Sequence, residues 1–150
     1  MKIRVAITID APPAETWRTV EPIERHVDWM AEADAIRFIG PQTRGVGTTF
    51  DCLTKLGPFH LTDRMTVTEW EPPRVLGIRH EGLVSGPARW SLLPERGGAA
   101  TRFVWVEDLR LRFPVKVLGE LGLLAYRPVL QLTFSLSMRN LARLASSGAR

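Results

Sequence analysis

The chain has one cysteine, Cys52, among 150 residues. No intrachain disulfide can form, which excludes the small secreted scaffolds that depend on crosslinks. The N-terminus lacks a basic patch followed by an apolar run and a small-residue cleavage site, so no signal peptide is expected and the chain is expected in the cytoplasm. Long apolar runs are missing as well. The nearest approach, Val115 to Met138, is interrupted by Lys116, Glu120, Arg127, Pro128 and Gln131. Charges at a bilayer centre are costly, so no stable membrane insertion is expected. The three histidines, His26, His60 and His80, show no spacing typical of a metal site. Gly45, Val46, Gly47 and Thr48 lack the Gly-Lys-Ser/Thr of a phosphate loop and join two strands instead of opening a helix. Neither a metal nor a cofactor is expected. The sequence shows no internal repeat, low-complexity tract or interdomain linker.

What remains is a chain of ordinary globular composition, 45% hydrophobic and 24% charged, with the charges too mixed in sign for disorder. A chain of this length buries about two-thirds of its unfolded surface, and residues 1–150 are expected to form a single domain. The formal net charge of +4 is uneven: the stretch from Leu109 onward carries +6 and the remainder −2. Aromatic residues do not alternate with the basic ones as a base-stacking surface requires, so nucleic acid is not an expected partner and a solvated helix face is.

Ile3, Val5, Ile7 and Ile9 alternate with Lys2, Arg4, Ala6 and Thr8, the period of a strand with one buried face. Asp10 to Pro13 stop it, and a short helix over Ala14 to Val20 follows, broken by Pro22. A second short helix through His26 to Trp29 is predicted, anchored by Trp29. Strands are predicted over Ala35 to Ile39, Thr48 to Leu56, His60 to Glu71, Val75 to Glu81, Ala88 to Leu93 and Ala100 to Leu111, with Gly82 to Pro87 and Pro94 to Gly98 as turns. Short connections make an antiparallel meander of seven strands. After Pro114 the period changes: Leu130, Thr133, Phe134, Ser137, Met138, Leu141 and Ala145 fall on one helical face. Pro128 is expected to kink or split that helix.

The order of strand, two short helices, six strands and long helix resembles the helix-grip fold of the START and Bet v 1-like (SRPBCC) superfamily. Ile7 to Trp17 resembles the opening of its polyketide cyclase/dehydrase and lipid-transport group, where an isoleucine-rich strand runs into an Ala-Pro-x-x-x-x-Trp helix start. Trp29, the turn at Gly45, Gly47 and Thr48, Trp70 to Arg74, and Ser137 to Leu144 extend the likeness over nearly the whole chain. The resemblance implies an α+β helix-grip fold with a pocket between sheet and C-terminal helix. It implies carriers, cyclases and aromatase-like enzymes alike, because these landmarks are turns and core anchors.

Candidate site residues are polar groups at inward positions. Leu61, Asp63, Met65, Val67 and Glu69 share one face of their strand; if that face is inward, burial raises the pKa of Asp63 and Glu69 toward a range useful to a general acid or base. The alternatives are a solvated strand end or the opposite parity. Ile78 and His80 share a face, and His80 is the histidine expected to reach a cavity, as a proton shuttle or as a structural group; His26 and His60 are expected at the periphery. Phe103, Trp105 and Glu107 oppose Val104, Val106 and Asp108, leaving the parity of that strand open. Trp90, Trp105 and Tyr126, the single tyrosine, are candidates for stacking on a flat ligand or are plain core. Met65, Val67, Ile78, Trp90, Phe103, Trp105, Leu130 and Phe134 are the expected ligand-contacting set, and Asp63, Glu69, His80 and Tyr126 the candidate catalytic set. Arg79, Arg89 and Arg102 are expected on the convex face, and Cys52 as a small buried hydrophobe. Three roles stay open: a carrier or sensor for a small hydrophobic molecule, a cyclase/dehydratase-type enzyme, or an interaction protein using Leu132 and Leu136 beside Arg139 and Arg143. A monomer or homodimer is expected.

Overall fold

A computed structural model describes residues 1–112 and 116–148. Its elements run β1 (Lys2–Ile9), α1 (Pro13–Val20), a 3₁₀ helix (Ile23–Asp28), β2 (Ala33–Ile39), β3 (Thr49–Leu56), β4 (Phe59–Glu71), β5 (Val75–Glu81), β6 (Val84–Glu95), a 3₁₀ turn (Arg96–Gly98), β7 (Ala100–Asp108), β8 (Arg110–Leu111) and α2 (Lys116–Gly148). The antiparallel sheet has the order β1-β7-β6-β5-β4-β3-β2, with β8 beside β6. Strands β2 to β7 form the meander that short connections dictate. β1 pairs with β7 along its whole length, so β1 and β2 lie at opposite edges, bridged by α1 and the 3₁₀ helix. This is the helix-grip arrangement: the inner face of the sheet and the buried stripe of α2, Leu130, Phe134, Met138, Leu141 and Ala145, share one core.

Three local features depart from the sequence pattern. First, one predicted strand, Ala100 to Leu111, is divided into β7 and β8 although both keep the same register against β6: Ala88 faces Glu107 and Ser85 faces Arg110. The break lies opposite Gly86 and Pro87. Proline offers no N–H to the ladder, and Gly86, at φ +137°, brings its backbone so close to Asp108 that a Cβ would sit 1.9 Å from the Asp108 carbonyl oxygen. The predicted turn of Gly82 to Pro87 accordingly shrinks, and β6 begins at Val84.

Second, β4 carries a register shift between Val67 and Glu69. Before it, Asp63, Met65 and Val67 are buried; after it, Trp70 turns inward against Trp17, with ring centroids 5.4 Å apart. A bulge places one extra residue in the strand and reverses which side chains face the core. Third, α2 runs unbroken through Pro128. The proline lies on the exposed side, where the carbonyl left without its usual N–H partner meets water. No described helix is long and apolar enough to cross a membrane.

Candidate functional site

The interior has two unlike ends. At one, Trp29, Trp90 and Trp105 meet edge to face, with centroids 5.4 Å apart for Trp29–Trp90 and for Trp90–Trp105, and Phe134 stacks on Trp105 at 4.5 Å. His26 joins this group 5.1 Å from Trp90, its Nε2–H donating to the Val20 carbonyl at 2.7 Å. It is fully buried, not peripheral, and desolvation pushes its pKa down to about 4. Aromatic rings and their neighbours fill this end.

At the other end lies a cavity of about 470 Å³. Cys52 and Thr54 of β3, Leu61, Asp63 and Met65 of β4, His80 of β5, Val84 of β6, Glu107 and Leu109 at the end of β7, and Leu123, Tyr126, Leu130 and Phe134 of α2 line it, while exposed Phe59, His60 and Leu83 form the rim. The wall between the two ends falls at the level of Met65, its cross-strand partner His80, and Phe134.

Of the residues singled out from the sequence, Asp63, His80, Tyr126, Met65, Leu130 and Phe134 line the cavity. Val67, Ile78, Trp90, Phe103 and Trp105 do not. All five face inward, but they lie on the filled side of that wall, where Trp29 and the other rings occupy the space over the sheet. Glu69 is a further correction: the bulge turns it outward, where it accepts from the Arg89 guanidinium at 3.1 Å. Arg79 and Arg89 are exposed on the outer face. Cys52 is buried, and burial pushes its thiol up to about 11, which favours the neutral thiol over the thiolate.

The polar groups of the cavity gather at its inner end. His80 Nδ1–H donates to Asp63 Oδ2 at 2.5 Å, and the Gly82 N–H donates to Asp63 Oδ1 at 3.1 Å. Gly82 lies at the turn that follows β5, and a Cβ there would approach Asp63 Oδ1 to 2.4 Å, so only glycine lets this N–H come close. His80 Nε2 lies 3.9 Å from Glu107 Oε1, which accepts from the Trp105 indole N–H at 2.8 Å. Glu32, in the turn before β2, completes the group: Oε2 accepts from Ser137 Oγ–H at 2.8 Å, while Oε1 is buried without a protein partner. The Ser137 oxygen in turn accepts from the Ala31 N–H at 2.8 Å, which fixes the turn against α2.

The electrostatics follow from burial and from this geometry. Desolvation opposes a charge on His80, but the hydrogen bond to Asp63 and the nearby Glu107 and Glu32 outweigh it and hold the imidazole above its ordinary pKa. Desolvation pushes Glu107 up, against the opposing pull of His80 and of the Trp105 N–H. Desolvation likewise pushes Glu32 up to about 7. The inner end thus favours the charged form of a histidine hydrogen-bonded to Asp63, beside two carboxyl groups whose burial favours their protonated form. Among the described residues no group of three or more His, Cys, Asp or Glu is arranged to hold a metal ion.

Sequence pattern had singled out neither Glu32 nor Glu107. Glu107 shares a strand face with Trp105, a signal that the open parity of β7 obscured. Glu32 sits in a turn, where no periodicity operates.

A family model described as polyketide cyclase / dehydrase and lipid transport matches residues 1–146. The chain belongs to this family. Solved structures with the family's fold cover essentially the whole chain. TTHA0849 from Thermus thermophilus is 18% identical, with all of both chains covered and a TM-score of 0.82. The Zhui aromatase/cyclase from Streptomyces sp. R1128 is 14% identical, covering 100% of this chain and 96% of that one, with a TM-score of 0.82. A START superfamily protein from Mycobacterium smegmatis is 12% identical, covering 99% and 96%, with a TM-score of 0.70. Identities this low carry the fold and leave the chemistry to the site. No curated protein matches the chain.

Proposed function

We propose that residues 1–150 act as one unit that binds a small hydrophobic molecule, a lipid, a polyketide-like aromatic or an isoprenoid, between the sheet and α2, as carrier or sensor. One observation carries this: a cavity of about 470 Å³ walled by Met65, Leu61, Val84, Leu109, Leu123, Leu130 and Phe134, with His80 and the carboxyl groups gathered at its inner end. Ligand pockets span roughly 300 to 1,000 Å³ and combine apolar walls with a few convergent polar groups. The family description names both lipid transport and cyclase/dehydrase members, and this chain offers what binding requires. A single unpaired cysteine fits a cytoplasmic setting.

A second reading draws on the Asp63–His80–Glu107–Glu32 group itself. In a dehydration, a carboxylate such as Glu107 would take the carbon-bound proton next to a ligand carbonyl. The charged His80 would give its proton to the departing β-hydroxyl, which leaves as water, and the new C=C bond forms between the two carbons. The two groups then exchange protons to reset. Asp63 would hold the imidazole in place, as a carboxylate partner does in a catalytic pair.

Organic extraction of purified protein followed by mass spectrometry, with and without prolonged incubation, separates the two. A carrier yields one apolar compound in near-equal amount, unchanged with time; an enzyme alters it. A protein that yields no such compound and also fails to bind the neutral dye Nile red would overturn both.

A further inference from the structure

We propose that the outer face of α2 is a docking surface for a membrane rich in anionic lipid, on which the helix lies flat without crossing the bilayer. The inference goes beyond ligand binding and does not depend on it.

α2 is apolar on two sides. Its inward stripe, Leu130, Phe134, Met138 and Leu141, belongs to the core. The opposite side carries Leu121, Leu124, Leu132 and Leu136, each between 43% and 63% exposed, with Pro128 and Val129 among them. At about 3.6 residues per turn, Leu121, Pro128, Leu132 and Leu136 fall in one band along about 22 Å of helix, and Arg139 and Arg143 continue it. A surface helix is ordinarily polar on the side that faces water. A contiguous apolar stripe there marks a surface that a partner covers.

Charge selects the partner. Residues 121–150 contain Arg127, Arg139, Arg143 and Arg150 and no aspartate or glutamate. Arg37, Arg44, Arg64 and Arg89 on the rest of the surface each meet a carboxylate, whereas Arg127, Arg139 and Arg143 have no ion-pair partner among the described residues. A second copy of the helix would lay its own arginines or leucines against this face and bring no carboxylate to neutralise them. Nucleic acid would meet aliphatic side chains at the centre of the face, where stacking needs aromatic ones. An anionic bilayer satisfies both parts of the stripe. The leucines enter the boundary between headgroups and acyl chains, and the arginines reach the lipid phosphates with their stems along the apolar surface. The inward side of the same segment supplies Leu123, Tyr126 and Leu130 to the cavity, so the thickness of one helix, about 10 Å, would separate the cavity from the lipid.

The test mixes the full chain with vesicles of phosphatidylcholine alone and of equal parts phosphatidylcholine and phosphatidylglycerol, and reads the bound fraction by co-sedimentation. Binding to the anionic vesicles is expected to be stronger by about tenfold or more, and to be largely lost near about 1 M salt, where the screening length falls to about 3 Å. The double variant Arg139→Gln, Arg143→Gln is expected to weaken it by about tenfold or more, and Leu132→Gln with Leu136→Gln by a similar factor through lost apolar burial. Leu93→Gln, at a leucine 51% exposed on β6, is expected to leave binding unchanged. No binding, or equal binding to the two kinds of vesicle, would overturn the proposal. A loss at Leu93→Gln as large as at the α2 pairs would overturn the placement on α2. A dimer in lipid-free sedimentation that Leu132→Gln abolishes would assign the face to a second copy instead and overturn the membrane. Should the leucine pair lose its cooperative thermal transition, the arginine pair, whose side chains lie outside the core, decides the matter by itself. Nothing in the vesicle measurement reads the cavity, so a failure to bind Nile red leaves it standing, and its own failure leaves ligand binding intact.

Discussion

The filled end and the hollow end of the interior are built from the same elements, yet they obey different rules. β4 supplies Val67 to one and Asp63 to the other; β7 supplies Trp105 and Glu107; α2 supplies Met138 and Tyr126. Residues two positions apart on one strand face, identical in parity, therefore serve as core or as site depending only on which side of the Met65–His80–Phe134 level they fall. Trp29 and Trp90 decide the matter. The cavity stops where their rings cover the sheet; beyond them, aliphatic side chains leave a void with acidic groups at its base.

Truncation at the two ends should expose this difference most plainly. Trp90→Ala, at a side chain 2% exposed within the aromatic group, is expected to cost about 3–5 kcal/mol in urea unfolding, the usual loss for a large buried aromatic. Met65→Ala, at the cavity wall, is expected at or below the bottom of the range of about 2–5 kcal/mol for such residues, since the space beside it is already open. Equal losses would mean that the cavity is closed in solution.

Asp63→Ala comes next. It removes one member of a buried pair and leaves His80 beside Glu107, with an expected loss of about 3 kcal/mol. Burial then acts on the imidazole without its hydrogen-bond partner, so the His80 titration followed by NMR should move down.

The two ends also respond oppositely to pH. His26, held near 4 when folded, binds its proton more weakly than the unfolded chain does. Stability from the filled end is complete above the ordinary histidine value and lost as pH falls through about 4. Glu32, raised to about 7, keeps a proton that the unfolded chain has released, so its contribution is complete below the ordinary glutamate value and lost as pH rises through about 7. Raised His80 and Glu107 act in the same sense as Glu32. Glu32→Gln, which resembles the protonated acid, should flatten the alkaline limb by up to about 3 kcal/mol and leave the acid limb intact. A wild-type limb unaltered in this variant would show that Glu32 does not carry it.

The smallest effect is expected outside both ends. Leu132, 63% exposed on the outer side of α2, should tolerate Leu132→Gln within about 0.5 kcal/mol in thermal melts. A larger loss, or a change in sedimentation, would reveal a partner on that face.

Much of the fold was legible because its signals are local. The period of two in Ile3 to Ile9, the proline stops, and the helical stripe from Leu130 to Ala145 each specify an element without reference to the rest of the chain. The site was legible only in part. Asp63 and His80 were reachable through strand parity, Leu130 through the helix stripe, and Tyr126 as the single tyrosine. Parity says which face a side chain takes, however, and nothing about how far along the strand the core is filled. That is why Trp90, Phe103 and Trp105 were grouped with Met65. Glu32 was invisible because it comes to Ser137 across 105 positions of sequence from a turn without a period, and His26 because a polar residue in a short helix gives no sign of a tryptophan cage.

The bulge in β4 has one more consequence. Strand length there sets the sidedness of everything that follows: were the pleat to run uninterrupted through Thr68, Trp70 would be delivered to water and Glu69 to hydrocarbon. A single surplus backbone unit thus keeps an ionised group out of the oily interior and an indole in it.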